Sequence, residues 1–427
     1  MKPNNLFNLA KRLFPIYRSI TGDGVRKTLQ ILKSKNSELK VKNIKSGTKV
    51  FDWVVPNEWK IDEAYIITPD GRKICDIKKN NLHLISYSKS INKTLKYNQL
   101  KKKLHSLPRQ PNAIPYITSY YKDDWGFCIS ENQKRQLNKK GDYKIVIKSK
   151  KFKGVLNYGE AYLKGRSNKE IFISTYICHP SLANNEISGP TVSSFILSFL
   201  KQKKRKYSYR LVFVPETIGS ISYLSKNYNK LKKNVIAGFN LTCIGDERSY
   251  SYLPSRNGNT LSDKIAKISL NSIDPKFKKY SWYDRGSDER QYCAPGIDLP
   301  IASIMRTKYG KYKEYHTSLD RLGTVVTGKG LYGGYLAVKK AIEIIEKNKI
   351  PIAKLKCEPF MSKRNLYPTT SFRDNSKYIK SYMDILTYAD GKHSLVDIAF
   401  KCNEDFFYIL KLAIKLKKKR LITLKDS

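Results

Sequence analysis

Phe172-Ile-Ser-Thr-Tyr-Ile-Cys-His-Pro-Ser-Leu-Ala-Asn-Asn-Glu-Ile-Ser-Gly-Pro190 opens as an apolar run, ends that run on His179, and crosses a polar loop. It enters a helix, Val192 to Leu200, at a Ser-Gly pair. The run predicts a strand buried on both faces, and the loop predicts a strand-to-helix corner. In open α/β sheets ligands collect beyond the carboxyl ends of strands, where a loop can aim an imidazole and the next helix N-terminus favours negative charge. His179 is therefore placed for chemistry.

Outward from this stretch, residues 143 to 348 alternate strand and helix. Tyr143 to Lys148, Val155 to Leu163, Ile171 to Ile177, Tyr209 to Val214, Val235 to Cys243 and Leu299 to Met305 read as strands. Thr191 to Leu200, Gly219 to Leu231, Thr260 to Leu270 and Gly328 to Glu346 read as helices. Such alternation predicts an α/β fold, a mixed sheet with helices on both faces. Residues 4 to 34 read as two helices broken at Thr21-Gly-Asp-Gly24, with Arg18, Ser19 and Thr21 assigned to capping and turn roles ahead of a site.

From Val50 the character changes. Ile61 to Thr68 and Arg72 to Ile77 flank a Pro69-Asp-Gly71 turn, and Leu82 to Tyr87 reads as a third strand, giving a small inserted β domain over 50–112. The core is then 1–49 with 113–350. The aromatic segment Tyr116, Tyr120, Tyr121, Trp125 and Phe127 either packs the insert onto the core or walls a pocket. Past a linker with Pro351, Pro359 and Pro368, residues 355–427 read as helix, short helix, longer helix and strand, a winged-helix pattern.

The chain has 427 residues and a net charge of +46, carried by 64 Lys and 18 Arg spread through every segment. Arg is the preferred partner for bidentate phosphate and base contacts, so this balance describes solvated lysine faces better than a nucleic-acid surface. The last helix of the winged unit carries Lys411, Lys415 and Lys417 to Arg420 but little Arg, Asn or Gln, which puts protein docking or a lid role ahead of DNA reading. Seven scattered cysteines without a Cys-x-x-Cys pair fit reduced thiols. No stretch of 18 apolar residues occurs, and the expectation is a cytoplasmic protein without membrane insertion.

The candidate chemistry sits at strand ends. Pro215-Glu-Thr-Ile-Gly-Ser220 puts Glu216 where a strand gives way to a helix, and Arg285-Gly-Ser-Asp-Glu-Arg290 and Glu314-Tyr-His-Thr-Ser318 follow. Two neutral imidazoles, His179 and His316, can hold zinc, and a carboxylate beside the metal can take a proton from its bound water. Each of the three residues is equally compatible with a satisfied structural role.

The order of these motifs resembles the zinc aminopeptidases of the bacterial leucyl aminopeptidase type. More closely, the whole chain resembles aminopeptidase-like proteins of bacterial polysaccharide-biosynthesis gene clusters, which carry an inserted domain and a C-terminal winged helix. The matching stretches include LFPIYRSITG (13–22), VFDWVVPNEW (50–59), ICHPSLANNEISG (177–189), VPETIGSI (214–221), GSDERQYCAPGIDLP (286–300) and EYHTSLD (314–320). The resemblance implies His179, Asn185 and His316 as metal ligands and Glu216 as general base; beside them Arg290, Tyr309 and Tyr315 are candidate substrate or oxyanion contacts, and Asp288 either touches a ligand or holds a loop through main-chain hydrogen bonds. The resemblance also exposes departures. Asn185 is an amide where an aspartate is expected, Thr217 and Thr242 stand where further carboxylates belong, and Ser181 replaces the aspartate that orients the first histidine. One weakly held zinc is expected rather than two, with Glu186, Glu216 or Asp288 supplying missing charge.

Three functions follow as expectations. The first is a metal-dependent hydrolase cleaving an amide in a small peptide-like or amino-sugar-linked substrate. The second is a catalytically weakened relative that binds a ligand or organises an assembly, and the third is nucleic-acid binding through the winged helix.

Overall fold

A computed structural model describes residues 2–367 and 375–427. Its main sheet has eight strands, in spatial order Lys40–Lys45, Val155–Leu163, Ser208–Val214, Glu170–Tyr176, Val235–Leu241, Ile301–Met305, Ser251–Leu253 and Lys278–Lys279. The four central strands from Ser208–Val214 to Ile301–Met305 run parallel, and antiparallel strands flank them on both sides. The expected mixed sheet is therefore the architecture observed.

Both faces are covered, which explains the continuous apolar runs. Successive residues of a strand point to opposite faces. Ile171 and Ile173 accordingly join the cluster under Ser188–Leu200, Leu261–Asn271 and Gly328–Lys347, while Phe172 joins the cluster under Ile218–Asn234 and the smaller sheet. Pro3–Leu13 buries Leu6, Leu9 and Leu13 in the first of these clusters.

The smaller sheet has strands Lys73–Ile74, Glu58–Ile67, Asp142–Phe152 and Ile91–Lys96 in that order. Two readings of the sequence change here. The run Tyr143 to Lys148 belongs to this sheet, paired with Glu58–Ile67 and Ile91–Lys96, so the unit draws on chain well past residue 112. Leu82 to Tyr87 is not a strand but a 3-10 turn, Asn81–His83, and buried loop; the strand lies further on, at Ile91–Lys96.

The C-terminal unit contains helices Asn375–Thr387, Leu395–Cys402 and Phe406–Lys418 and strand Ile422–Asp426. Pro351 is not linker: it lies in strand Lys349–Ala353, which pairs antiparallel with Ile422–Asp426. Pro368 falls outside the described residues. None of the seven cysteines is in a disulfide. No helix among the described residues is long and apolar enough to cross a membrane.

Candidate active site

Register brings the first two residues together. Glu170–Tyr176 and Ser208–Val214 are parallel neighbours with Tyr176 opposite Val214, so His179, three residues past one end, and Glu216, two past the other, emerge at the same edge. His179 Nε2 stands 3.5 Å from a Glu216 carboxyl oxygen. The loop after Ile301–Met305 returns His316 to this edge with its ring centroid 5.7 Å from that of His179. His316 has a φ of 55°, a left-handed conformation for a non-glycine residue, and Thr217, beside Glu216, has a φ of 62°. Backbone held this way costs on the order of 1–3 kcal/mol and concentrates at functional sites.

Behind His179 lies Glu186, which the sequence offers as a source of charge for the metal and not as the orienting partner of the histidine. The His179 Nδ1 is 2.8 Å from Glu186 Oε2, and the Glu186 side chain is fully buried. Glu186 therefore fills the orienting role vacated by Ser181, whose hydroxyl instead donates to the Phe14 carbonyl and accepts from Asn81. Arg18, also fully buried, donates from Nε to the His179 carbonyl at 3.0 Å and lies 3.6 Å from Glu186. Its Nη1 donates to the Leu13 carbonyl at 2.7 Å. A buried charge needs such a partner and such hydrogen bonds.

Burial sets the proton affinities. It depresses His179 and His316 to about 3, with Arg18 adding to the effect at His179, so both imidazoles are neutral near pH 7. Desolvation raises Glu186 to about 8 against the pull of Arg18, and raises Asp288 to about 7. Glu216 is raised well above the usual carboxylate range, by burial first and by the neighbouring Asp288 second.

Asn185 sits in the wide turn Ala183–Ile187, where the Ile187 N–H reaches back to the Leu182 carbonyl. Its amide N–H donates to the Tyr176 hydroxyl at 2.7 Å, and its Oδ1 is buried with no hydrogen-bond partner. Asp320 fixes this turn by accepting from the main-chain N–H groups of Asn184 and Asn185.

The remaining expected residues divide. Tyr315 stacks on His316 at 3.9 Å, and the exposed Arg290 donates to the Thr217 hydroxyl at 2.9 Å, placing both at the rim. Asp288 accepts from the Thr217 N–H and the Ser220 hydroxyl, both at 2.8 Å, and so braces the loop that carries Glu216. The Tyr309 hydroxyl is taken by Glu289 at 2.7 Å. Tyr116, from the aromatic segment, lies against both imidazoles at 5.1 and 5.2 Å and donates its N–H to the His316 carbonyl. It is a site wall that also ties that segment to the core.

These residues can be tested against a metal. Among the described residues, the one group of three metal-ligating side chains with ligand atoms within 4.8 Å of one another is Cys178, His179 and Glu186. That side of the ring is a poor place for a cation, because Nδ1 is taken by Glu186 and the Arg18 charge stands behind it. On the Nε2 side Glu216 stands 3.5 Å away and the His316 ring 5.7 Å away, centroid to centroid, but the donor atoms of His179, His316 and Glu216 do not all lie within 4.8 Å of one another. Two imidazoles and an amide oxygen are donor types that one divalent ion accepts, with the Glu216 carboxyl left beside them as a base. A second ion has no carboxylates at the threonine positions: the Thr242 hydroxyl is 2.5 Å from that of Tyr176, and Thr217 is bound to Arg290.

Residues 7–348 match a family model described as a domain of unknown function, DUF4910, and residues 349–424 match a winged helix-turn-helix model. A Clostridium acetobutylicum protein named as a candidate polysaccharide biosynthesis protein with an aminopeptidase-like domain is 42% identical over 421 residues, covering 98% of this chain and 96% of its own. A crystal structure of a candidate peptidase from Clostridium acetobutylicum shares 41% identity and a TM-score of 0.90, over 99% of this chain and 96% of that one. A zinc aminopeptidase from Bacillus subtilis, 12% identical, shares the fold with a TM-score of 0.57 over 80% of this chain and 94% of its own. The likeness to aminopeptidases followed by a winged helix is thus found in both sequence and fold.

Proposed function

The chain belongs to the DUF4910 family, and from that membership and the geometry at His179 we propose an aminopeptidase-like hydrolase that cleaves an amide bond in a small peptide-like or amino-sugar-linked substrate. His179 and His316, with the Asn185 carbonyl oxygen, would hold one divalent ion, zinc by analogy with the aminopeptidases that share the fold. The observation that carries the reading is the fixing of His179 Nδ1 by Glu186 at 2.8 Å, which directs Nε2 toward Glu216. A histidine whose second nitrogen is held by a carboxyl group is the usual arrangement behind a metal-ligating imidazole. Ligation of Nε2 would leave Nδ1 protonated and Glu186 ionised, so metal uptake would release the proton that burial holds on Glu186.

When bound, the ion would polarise the scissile carbonyl and acidify the attacking water. Glu216 accepts the water proton and returns it to the leaving amine. Its raised proton affinity suits both steps, since a carboxylate in an apolar setting is a stronger base and its acid form persists long enough to donate. Arg290 and Tyr315, at the rim, would contact the substrate. The name of the Clostridium acetobutylicum relative, which mentions polysaccharide biosynthesis, supports a role for this chemistry in that process.

Elemental analysis of the purified protein should give about one zinc per chain, lost in His179→Ala. Glu216→Gln should retain the metal and lose hydrolysis of aminoacyl and N-acyl amino-sugar amides by about 100-fold or more. Absence of metal from the unaltered protein removes the hydrolase.

The amide at 185 favours a second reading, a weakened relative that keeps the pocket for ligand binding. Asn185→Asp distinguishes the two. Appearance of metal and activity only in that variant establishes the second, whereas metal and turnover already present in the parent establish the first.

A further inference from the structure

We propose that a cleft between the small β unit and the core binds the oxyanion of a phosphorylated ligand. This cavity of about 380 Å³ is walled by the chain around Phe14 and Pro15, by Lys78, Lys79 and Asn81 of the β unit, and by Ser181, Ser318 and Arg321 of the core. Ser181 and Ser318 each lie two residues beyond one of the site histidines, so the same two loops build both places.

None of the three cations is held in a close ion pair among the described residues, though Lys78 lies near enough to Asp76 and Glu63 to lower their proton affinities. Asp76, the acid nearest Lys78 and Lys79 in sequence, is taken by Lys73 at 2.9 Å and by the Lys78 N–H at 3.0 Å. Neither Lys78 nor Lys79 forms an ion pair among the described residues. Arg321 donates its Nε to the Ser318 carbonyl at 2.7 Å, and its two terminal nitrogens form no hydrogen bond or ion pair among the described residues. No carboxylate among the described residues lines the cleft. The walls are themselves pinned: Asn81 donates to both the Pro15 carbonyl and the Ser181 hydroxyl, and Ser181 donates to the Phe14 carbonyl.

Lysines are common on this chain, and a basic surface alone would carry nothing. What distinguishes the cleft is its lining: three positive residues from two separated segments share it with hydroxyl and amide groups, and no carboxylate among the described residues lines it. A second basic cavity, at Lys411, Lys415 and Lys418, has a mostly apolar lining on one helix and has already given Lys415 to Tyr378. A guanidinium fork with two point charges suits a tetrahedral, multiply charged phosphate better than a lone carboxylate. The assignment does not depend on metal binding or hydrolysis, and it gives the β unit a part in recognition.

Titration calorimetry of the full-length protein at physiological salt, with sodium pyrophosphate as probe and succinate as a dicarboxylate control, tests it. One saturable pyrophosphate site per chain is expected, weakened about tenfold or more in Lys78→Ala/Lys79→Ala and again in Arg321→Gln. Lys93→Ala/Lys144→Ala, which removes two exposed lysines elsewhere on the β unit, should leave it unchanged. The lysine pair touches no structural partner through its side chains, so that variant remains informative if Arg321→Gln loosens the Ser318 loop. No saturable site, equal loss in the control variant, or succinate binding as tightly as pyrophosphate would each overturn the proposal.

Discussion

At the scale of single side chains, the behaviour of His179 is decided from behind, by Glu186 and Arg18. Both are buried, and their charge states give a pH dependence whose sign can be worked out. Glu186 and Asp288 have folded values near 8 and 7, against ordinary carboxylate values of about 4, so the native state holds protons that the unfolded chain has released. Each contribution is present at low pH and is lost as pH rises toward the folded value. The histidines act in the opposite sense. Lowered to about 3, they favour the fold increasingly as pH rises from about 3 to 6.5, and add no further slope above that. Between pH 6.5 and 8, therefore, only the carboxyls remain. Chelator-treated protein should lose stability across this window, by at most about 1.4 kcal/mol per pH unit per group, and Glu186→Gln should flatten the slope. Melting temperatures at three pH values decide it; a flat or rising profile in the parent contradicts the assignment.

At the scale of elements, the site depends on how closely Ser188–Leu200 lies on the sheet. A Cβ on Gly189 would fall 2.2 Å from the Thr175 hydroxyl and 2.6 Å from the Leu241 carbonyl, and that carbonyl belongs to a central strand which cannot retreat. Gly189→Ala should destabilise by about 1–3 kcal/mol, read from the urea midpoint, and should displace the turn that carries Asn185. An unchanged midpoint would mean that the helix is free to shift. The same close packing explains what could be read beforehand. Buried parallel strands announce themselves as apolar runs, and His179, Glu216 and His316 are visible because they follow such runs or sit among motifs of a known order. The run at Tyr143 to Lys148 has the same appearance yet joins the other sheet, since apolarity records burial and not the identity of the neighbour. Ile91–Lys96 escaped notice because its outward residues are Asn, Lys and Thr. Arg18 and Glu186 were harder: charged side chains are seldom fully buried, and nothing local pairs residues 168 apart in the chain. The one available signal was an acid inside a stretch of apolar and amide residues with no nearby cation.

At the scale of the whole molecule, the question is whether the winged unit is a tethered reader or part of the body. One apolar cluster runs from Leu6 through the sheet to Leu395, Ile398, Phe406 and Leu412. Lys264 pairs with Asp397 at 2.7 Å, the Asn348 side chain accepts the Val396 N–H at 3.0 Å, and Lys349–Ala353 supplies the strand partner of Ile422–Asp426. Helix Phe406–Lys418 has the position of a recognition helix, whose N-terminal residues would have to reach base edges. Here Phe406 is buried, and the Phe407 ring lies against Lys340 and Lys347 of the core. The end that would read DNA thus faces the core of the protein. A continuous core should melt as one unit, so calorimetry of the intact chain should show a single transition in which core and winged unit unfold together. A fragment of residues 355–427 lacks both the partner strand at 349–353 and the surface covering Phe407, and should be largely unfolded by circular dichroism. Two separated transitions, or a folded fragment whose affinity for duplex DNA falls steeply with salt, would instead establish an independent DNA-binding module.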